Sequence, residues 1–183
     1  MTDTLSDLAP EGRVHRRVYT DADVFSAEME RIFRRAWVYV AHESQVSAPG
    51  DFVTAHIGDR SVIVSRHKDG EIYAFANRCT HRGMKVCAAR QGSKKRFVCP
   101  YHGWAFATDG SLIGVPHGKG YNGKLDPKDP ALALAQVARI QSYRGFVFAS
   151  DTPDGPSLTE YLGPMTRAID NTVDRAPGGE IDI

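Results

Sequence analysis

Cys79-Thr80-His81 and Cys99-Pro100-Tyr101-His102 are the two segments from which the architecture of this sequence follows, and 17 residues lie between His81 and Cys99. Each segment offers one thiolate donor and one imidazole donor within a few residues. Both lie at or beside the ends of predicted strands, where loops present ligands from a rigid scaffold. The sequence therefore predicts one metal site with four ligands, Cys79, His81, Cys99 and His102.

Two kinds of site fit this donor set. Structural zinc accepts two cysteines and two histidines, but familiar zinc fingers group the cysteines in one segment and the histidines in the other. Here each segment supplies a cysteine followed by a histidine. A Rieske-type [2Fe–2S] cluster needs two cysteines on one iron and two histidines on the other. The order of the donors favours this cluster, and structural zinc remains the alternative.

The donor set also predicts the chemistry. With two thiolates and two neutral imidazoles, the oxidised cluster is close to neutral, whereas four thiolates would leave it at about −2. A near-neutral cluster accepts an electron more readily, which raises its potential to roughly −150 to +300 mV. The expected activity is one-electron transfer, and the imidazoles can couple the potential to pH.

The rest of the sequence is typical of a mainly β protein with short, closely spaced strands in an antiparallel sandwich or barrel. Helices are predicted at residues 21–36, capped by Thr20-Asp21-Ala22-Asp23, and at about 157–173, capped by Ser157 and interrupted by Gly163-Pro164. Polar and apolar residues begin to alternate at Glu180–Ile183, which predicts the start of a further strand. The predicted strands are 37–40, 51–57, 61–67, 71–77, 96–99, 104–108, 111–115, 137–142 and 145–149.

The amino-acid composition limits which binding partners and which cellular compartment are expected. The 183 residues carry a formal net charge of +1, which does not suggest a nucleic-acid or membrane partner. The sequence has no run of 18 apolar residues and no apolar core of a secretory signal near its start. Three cysteines, an odd and low number, favour metal binding in a reducing cytoplasm over disulfides.

The two segments with their flanks, Cys79-Thr-His81-Arg-Gly83 and Cys99-Pro-Tyr-His102-Gly-Trp104, resemble the N-terminal Rieske domain of aromatic-ring-hydroxylating oxygenase α subunits. The resemblance covers roughly residues 17–170 and includes Glu28–Phe33, Gly50-Asp-Phe52 and Tyr143-Arg-Gly-Phe146. It implies the Rieske iron–sulfur fold, antiparallel sheets with cluster-binding loops and flanking helices. It also implies three parts: a leader and helix at 1–36, the cluster domain at 37–150, and a helix leading into a catalytic domain at 151–183.

The sequence departs from the respiratory branch of Rieske proteins. That branch carries an extra, disulfide-forming cysteine in each loop, and Met84 and Tyr101 stand in those places here. A serine that hydrogen-bonds the cluster in that branch is replaced by Trp104. Fewer hydrogen bonds to the cluster sulfurs imply a potential low in the Rieske range, which suits a donor to oxygen-activating iron.

Members of the oxygenase family also hold a mononuclear Fe(II) in a C-terminal catalytic domain, on two histidines closely spaced on a helix and one carboxylate. The closest two histidines here, His56 and His67, are 11 residues apart, so we expect this iron only in a catalytic domain missing from the sequence. The 183 residues alone are then not expected to hydroxylate a substrate. The resemblance implies a ferredoxin or reductase as electron donor and a homotrimer or α3β3 assembly. The flanking sequence is most similar to the benzoate, toluate and salicylate group.

A free-standing Rieske ferredoxin is the alternative function, although the N-terminal helix and the extension past residue 150 are superfluous for a carrier. Residues 78–96 contain seven basic and no acidic residues. This basic segment is either a solvated face that offsets cluster charge or a docking site for an acidic donor. Tyr101 and Trp104 are predicted to shield the cluster. The remaining candidates, predicted to be structural or exposed, are Cys87, His42, His56, His67 and His117.

Overall fold

The computed structural model describes residues 5–183, so the first four residues of the predicted leader lie outside the described part. The strands in chain order are β1 (Val38–His42), β2 (Asp51–Ile57), β3 (Arg60–Arg66), β4 (Ile72–Ala76), β5 (Gln91–Ser93), β6 (Phe97–Val98), β7 (Ala105–Phe106), β8 (Leu112–Gly114), β9 (Arg139–Tyr143) and β10 (Phe146–Ser150). All pairings between them are antiparallel. The mainly β, antiparallel prediction is therefore confirmed.

The strands form three sheets, with the orders β1-β10-β9, β4-β3-β2-β5 and β6-β7-β8. The four-stranded sheet is the middle layer, because side chains on both of its faces are buried. On β3, Val62 and Val64 pack towards the first sheet, whereas Ile63, between them, packs towards the third. Since successive side chains of a strand point to opposite faces, a continuous apolar run such as 62–64 is what a middle layer requires.

The third sheet carries an aromatic core. Phe97 and Phe106 lie in register on β6 and β7, and Phe97 packs edge-on against Phe52 and Phe75 of the middle sheet, with ring centroids 5.3 and 5.8 Å apart. Edge-to-face geometry at this separation is the favoured arrangement of aromatic rings. The same core contains both predicted cysteine ligands, Cys79 and Cys99, so the packing that joins the two sheets also fixes the predicted site.

The N-terminal segment differs from its prediction. It contains a 3₁₀ turn at Leu5–Leu8, α1 (Arg17–Thr20), α2 (Ala22–Glu28) and a π-helical turn at Met29–Phe33. The cap of α2 is Asp21, whose side chain accepts a hydrogen bond from the Asp23 amide, and not Thr20. A π-turn shifts the side chains out of the 3.6-residue period, and the Ile32 side chain within this turn is 53% exposed.

The C-terminal segment contains α3 (Leu158–Leu162) and α4 (Met165–Asp174), with the predicted break at Gly163-Pro164. Tyr143 and Arg144, at the tip of the β9–β10 hairpin, hydrogen-bond Asp170 and hold α4 against the hairpin. The predicted strand at 180–183 does not form. Within the described residues these four pair with no strand; the Ile183 amide donates only to the Ser44 hydroxyl. A segment forms a β-strand only when a neighbouring strand completes its backbone hydrogen bonds.

Ser157 caps α3 with a reciprocal capping box: its hydroxyl accepts from the Glu160 amide, and the Glu160 carboxylate accepts from the Ser157 amide. Replacing Ser157 by alanine is expected to lower the free energy of unfolding by about 1 kcal/mol, which is about 2–4 °C in Tm for a chain of this size. Urea and thermal unfolding would measure it. Thr159→Ala, a substitution two residues further along the same helix, is the control. Equal losses in the free energy of unfolding in both variants would contradict the capping role of Ser157.

No helix within residues 5–183 combines the length and the apolar character needed to cross a lipid bilayer.

Candidate metal centre

The two predicted ligand segments adopt the same local geometry. We call Cys79–Met84 loop 1 and Cys99–Trp104 loop 2. In each loop the cysteine amide donates to the carbonyl five residues on, at 2.8 Å, and the cysteine carbonyl accepts from the amide of a glycine four residues on. The two glycines, Gly83 and Gly103, have φ values of +72° and +71°, a conformation that glycine adopts without steric cost.

Each loop is fixed by its neighbouring strands. Loop 2 joins β6 to β7, whose pairing brings Val98 opposite Ala105. Loop 1 follows β4, and the Thr80 hydroxyl ties it to the Leu132 carbonyl at 2.8 Å. Pro116 lies directly over loop 2, because a Cβ built on Gly103 would come within 2.9 Å of the Pro116 ring. The residues after β8 and before β9 therefore cover both loops.

The two thiols are neighbours in the core. Cys79 and Cys99 are each 2% exposed, and both belong to the same buried core cluster. Burial raises the pKa of the Cys79 thiol, and the Cys99 side chain raises it further. Because its pKa is raised, the Cys79 thiol is protonated at neutral pH, so a metal ion that binds there must displace its proton, as thiolate ligation requires.

The two imidazoles are neighbours at the rim of the same core. The ring centroids of His81 and His102 lie 4.8 Å apart. Trp104, buried, stacks on His81 at 4.8 Å with the planes 5° apart, and the half-exposed Tyr101 stacks on His102 at 3.8 Å. Burial, followed by the charges of His81 and Arg82, lowers the pKa of His102. The neutral imidazole that this favours is the form that binds metal.

The positions of the four candidate ligands can be compared with the donor arrangement that a Rieske cluster needs. Thiol lies with thiol and imidazole lies with imidazole, which is the division of donors over the two irons of a Rieske cluster. The Nδ1 atom of His81 is buried without a hydrogen-bond partner among residues 5–183. A buried, unpartnered nitrogen is unfavourable unless something binds it, so the residues fit the two-iron group.

Asn77 supports loop 1 and was not singled out from the sequence. Its amide oxygen accepts from the Val86 and Cys87 amides, at 3.1 and 2.8 Å, and its amide nitrogen donates to the Cys87 carbonyl at 2.7 Å. Asn77 is 3% exposed, so these bonds form away from water. The sequence feature that could have identified Asn77 is its position, directly after the apolar run Tyr73–Ala76 and two residues before the predicted ligand Cys79.

The other residues singled out from the sequence are not among the four candidate ligands, although some of them lie close to the two loops. Cys87 is buried and free of disulfides, at hydrogen-bond distance from the Ala89 carbonyl. His42 is buried and caps the 3₁₀ turn at Glu43–Val46, and His67 hydrogen-bonds Thr108 at 2.6 Å. His56 and His117 are exposed. All seven basic residues of the segment 78–96 are exposed as well, and they are Arg78, Arg82, Lys85, Arg90, Lys94, Lys95 and Arg96.

Comparison with protein families gives a match over residues 36–141 to the family described as the Rieske [2Fe–2S] domain. Curated relatives include the chlorobenzene dioxygenase α subunit of Cupriavidus sp. (strain PS12), 42% identical over 168 residues, which are 92% of this chain and 37% of the relative. The toluate 1,2-dioxygenase α subunit of Pseudomonas putida is 42% identical over 169 residues, 91% of this chain and 37% of the relative.

Among solved structures, naphthalene 1,2-dioxygenase from Rhodococcus sp. bound to indole matches with a TM-score of 0.83 and 41% identity, over 90% of this chain and 37% of that chain. At this identity the likeness extends beyond the general fold. The chain spans about 37% of the length of the curated relatives that it matches.

Proposed function

This chain belongs to the Rieske [2Fe–2S] domain family, and from that membership we propose that it holds a [2Fe–2S] cluster on Cys79, His81, Cys99 and His102. We further propose that it is the electron-transfer part of a ring-hydroxylating oxygenase α subunit. The observation that carries the first proposal is the pairing of the donors, thiol with thiol and imidazole with imidazole, on two loops of equal geometry.

The cluster, when bound, would accept and release one electron at a time. The surrounding side chains determine how it is held. The buried Cys79 and Cys99 exclude water from the thiolate side, whereas His81 and His102 bring the other side to the surface, where Tyr101 is half-exposed. Trp104 fixes the plane of the His81 ring by stacking. Electrons would therefore enter and leave at the imidazole side.

The relatives support the oxygenase assignment over a free-standing ferredoxin, because those named above are α subunits of dioxygenases. We propose that the whole protein receives electrons from a ferredoxin or reductase and passes them to a mononuclear iron held outside these 183 residues. A homotrimer or an α3β3 assembly in the cytoplasm fits this role. The two relatives named above are each 42% identical to this chain, and one is named for chlorobenzene and the other for toluate. The benzoate-type substrate therefore stays a prediction.

Anaerobic reconstitution with iron and sulfide tests the cofactor. We expect two irons and two sulfides per chain, a red-brown colour and, after reduction, the EPR signal of a Rieske cluster. Iron and acid-labile sulfide analysis alongside EPR would measure this. A colourless product that binds one zinc and no sulfide would overturn the proposal and establish the zinc alternative.

The basic segment 78–96 is proposed to dock an acidic electron donor. Replacing Lys94, Lys95 and Arg96 by glutamate reverses charge next to β6, and should slow reduction by an acidic ferredoxin about tenfold or more while weakening its dependence on salt. Stopped-flow reduction at several ionic strengths would measure both. Reversing Arg13, Arg31 and Arg35, exposed in the N-terminal segment, changes the net charge equally. Similar slowing in both variants would show a general charge effect and contradict docking.

A further inference from the structure

Five flat side chains lie in a row at the rim of the core, where the two loops meet. Arg82 lies over the Tyr101 ring, with its guanidinium carbon 5.6 Å from the ring centroid. Tyr101 stacks on His102 with the ring centroids 3.8 Å apart. The His102 and His81 centroids are 4.8 Å apart, and His81 stacks on Trp104 at the same separation. We call this row the stacked column, and it runs from the exposed Arg82 to the buried Trp104.

The stacked column joins the two loops. Arg82 and His81 belong to loop 1, whereas Tyr101, His102 and Trp104 belong to loop 2. Every contact in the row, except that of Tyr101 with His102, therefore crosses from one loop to the other. Within residues 5–183 no backbone hydrogen bond connects the loops, and the cysteines are free of disulfides. Side-chain packing, with the column at the rim, therefore sets how the two histidines face each other.

Stacking orients an imidazole without occupying its nitrogens. Trp104 lies against one face of His81, with the planes 5° apart, and the His81 Nδ1 is buried with no hydrogen-bond partner in the described residues. A hydrogen bond could fix the same ring, but it would occupy a nitrogen that can bind metal. Aromatic rings at these distances attract one another. The column therefore fixes the plane of His81 and leaves its buried nitrogen available.

Core packing does not account for the position of Tyr101. This residue is 51% exposed, so burial gives its ring little reason to lie flat. The ring is nevertheless almost parallel to that of His102, with the planes 22° apart, and it carries the Arg82 guanidinium above it. A cation is attracted to the face of a tyrosine ring. The contacts of the column, and not the core, therefore hold Tyr101 against His102.

We propose that the stacked column is a positioning device for the two histidine ligands. In loop 2, Tyr101 positions His102, and Arg82 holds Tyr101 in place. Trp104 positions His81. The column sets the two imidazoles side by side before any metal binds, and ligands oriented by their neighbours hold metal more firmly. The inference rests on the proposed function, because the histidines need this orientation only if they bind the cluster.

NMR of the metal-free full chain tests the column without any cluster. Imidazole protons that lie over the face of an aromatic ring resonate upfield of those of an unstacked histidine. Tyr101→Ala should move the His102 resonances downfield, towards the unstacked values, whereas Tyr101→Phe, which keeps a ring, should leave them in place. Tyr161→Ala removes a tyrosine of nearly equal exposure, 49%, on α3, and is the matched control. His102 resonances that are the same in Tyr101→Ala and Tyr161→Ala would contradict the column.

The inner end of the column is tested by the same measurement. Trp104→Leu fills much of the buried space without a flat ring, whereas Trp104→Phe keeps a ring that can stack. We expect the His81 resonances to move downfield in the leucine variant only, and equal displacement in both folded variants would assign the effect to lost volume and not to stacking. Circular dichroism shows whether each variant is folded. Because Trp104 is buried, a variant that fails to fold leaves the decision to the Tyr101 variants.

In the reconstituted protein the column should slow the loss of the cluster to a chelator. We expect Tyr101→Ala to lose iron about tenfold faster than the unmodified chain, and Tyr101→Phe and Tyr161→Ala to lose it at the unmodified rate. Equal rates in Tyr101→Ala and Tyr161→Ala would refute the positioning role. The two measurements separate the proposals. An unmodified chain that binds no cluster refutes the proposed function, whereas a chain that binds the cluster but shows no shift of His102 in Tyr101→Ala refutes only the column.

Discussion

Replacing Cys99 by alanine is expected to abolish cluster binding. Cys99 is one of the two proposed thiolate ligands, and its position in loop 2 is fixed by two backbone hydrogen bonds to Gly103 and Trp104. Alanine leaves those bonds in place but offers no donor to iron. The third cysteine of this core, Cys87, lies at hydrogen-bond distance from the Ala89 carbonyl and outside both loops, so we do not expect it to replace Cys99 as a ligand. Iron and sulfide content should fall from two of each per chain to nearly none.

Cys87→Ala is the matched control for this experiment. Cys87 and Cys99 are both 2% exposed and belong to the same core cluster, so both substitutions remove one sulfur from a buried site. We expect Cys87→Ala to bind the full cluster and to lose on the order of 1 kcal/mol in stability through the small cavity. Equal loss of iron in both variants would mean that packing, and not ligation, governs cluster retention, and would contradict the assignment of Cys99.

The two candidate ligand loops could be recognised from the sequence because their geometry is local. Each loop is six residues long, and cysteine, histidine and a glycine with positive φ recur at fixed spacing within it. Three of the four strands of the middle sheet were predictable for the same reason. The strands β2, β3 and β4 are joined by short turns at Gly58-Asp59 and Lys68–Gly70, and register follows from the turns.

The arrangement of the three sheets was not predictable, because it depends on contacts between residues far apart in the chain. β1 pairs with β10, more than a hundred residues later. β5 has the sequence Gln91-Gly92-Ser93, with no apolar residue to indicate a strand. It forms because Asp51–Val53 pair with it and because the Lys94 amide donates a hydrogen bond to the Gly50 carbonyl at 2.8 Å. A partner strand, not intrinsic propensity, decides such a segment.

Structure that the local sequence does not determine also explains why the two ends of the chain differ from their predictions. Periodicity alone predicted one helix over 21–36, but the π-helical turn at Met29–Phe33 changes which side chains are buried. Glu180–Ile183 alternates as a strand does, yet in the described residues it has no neighbouring strand to complete a ladder. Asn77 is a further case. Its role depends on the position of Val86 and Cys87 across loop 1, which its own neighbours in sequence do not reveal.

Asn77→Ala is expected to be the most destabilising single substitution near the site. It leaves three buried backbone groups without partners: the Val86 and Cys87 amides and the Cys87 carbonyl. Each unsatisfied buried group costs about 1–3 kcal/mol, so we expect a loss of about 3 kcal/mol or more. That is a large part of the 5–15 kcal/mol that typically separates folded from unfolded chains. In Tm it corresponds to roughly 6–12 °C.

The effect should also reach the cluster, because the residues that Asn77 holds lie directly after loop 1. With the 85–87 segment released, Met84 is no longer fixed as the acceptor for the Cys79 amide, and the cluster should be lost faster when the protein is challenged with a chelator. Urea unfolding and the rate of iron release measure the two effects. Asn171→Ala, exposed on α4, removes the same amide without a buried partner and should change neither. If Asn77→Ala unfolded at the same urea concentration as Asn171→Ala, the buried hydrogen-bond bridge would not be what holds loop 1 in place.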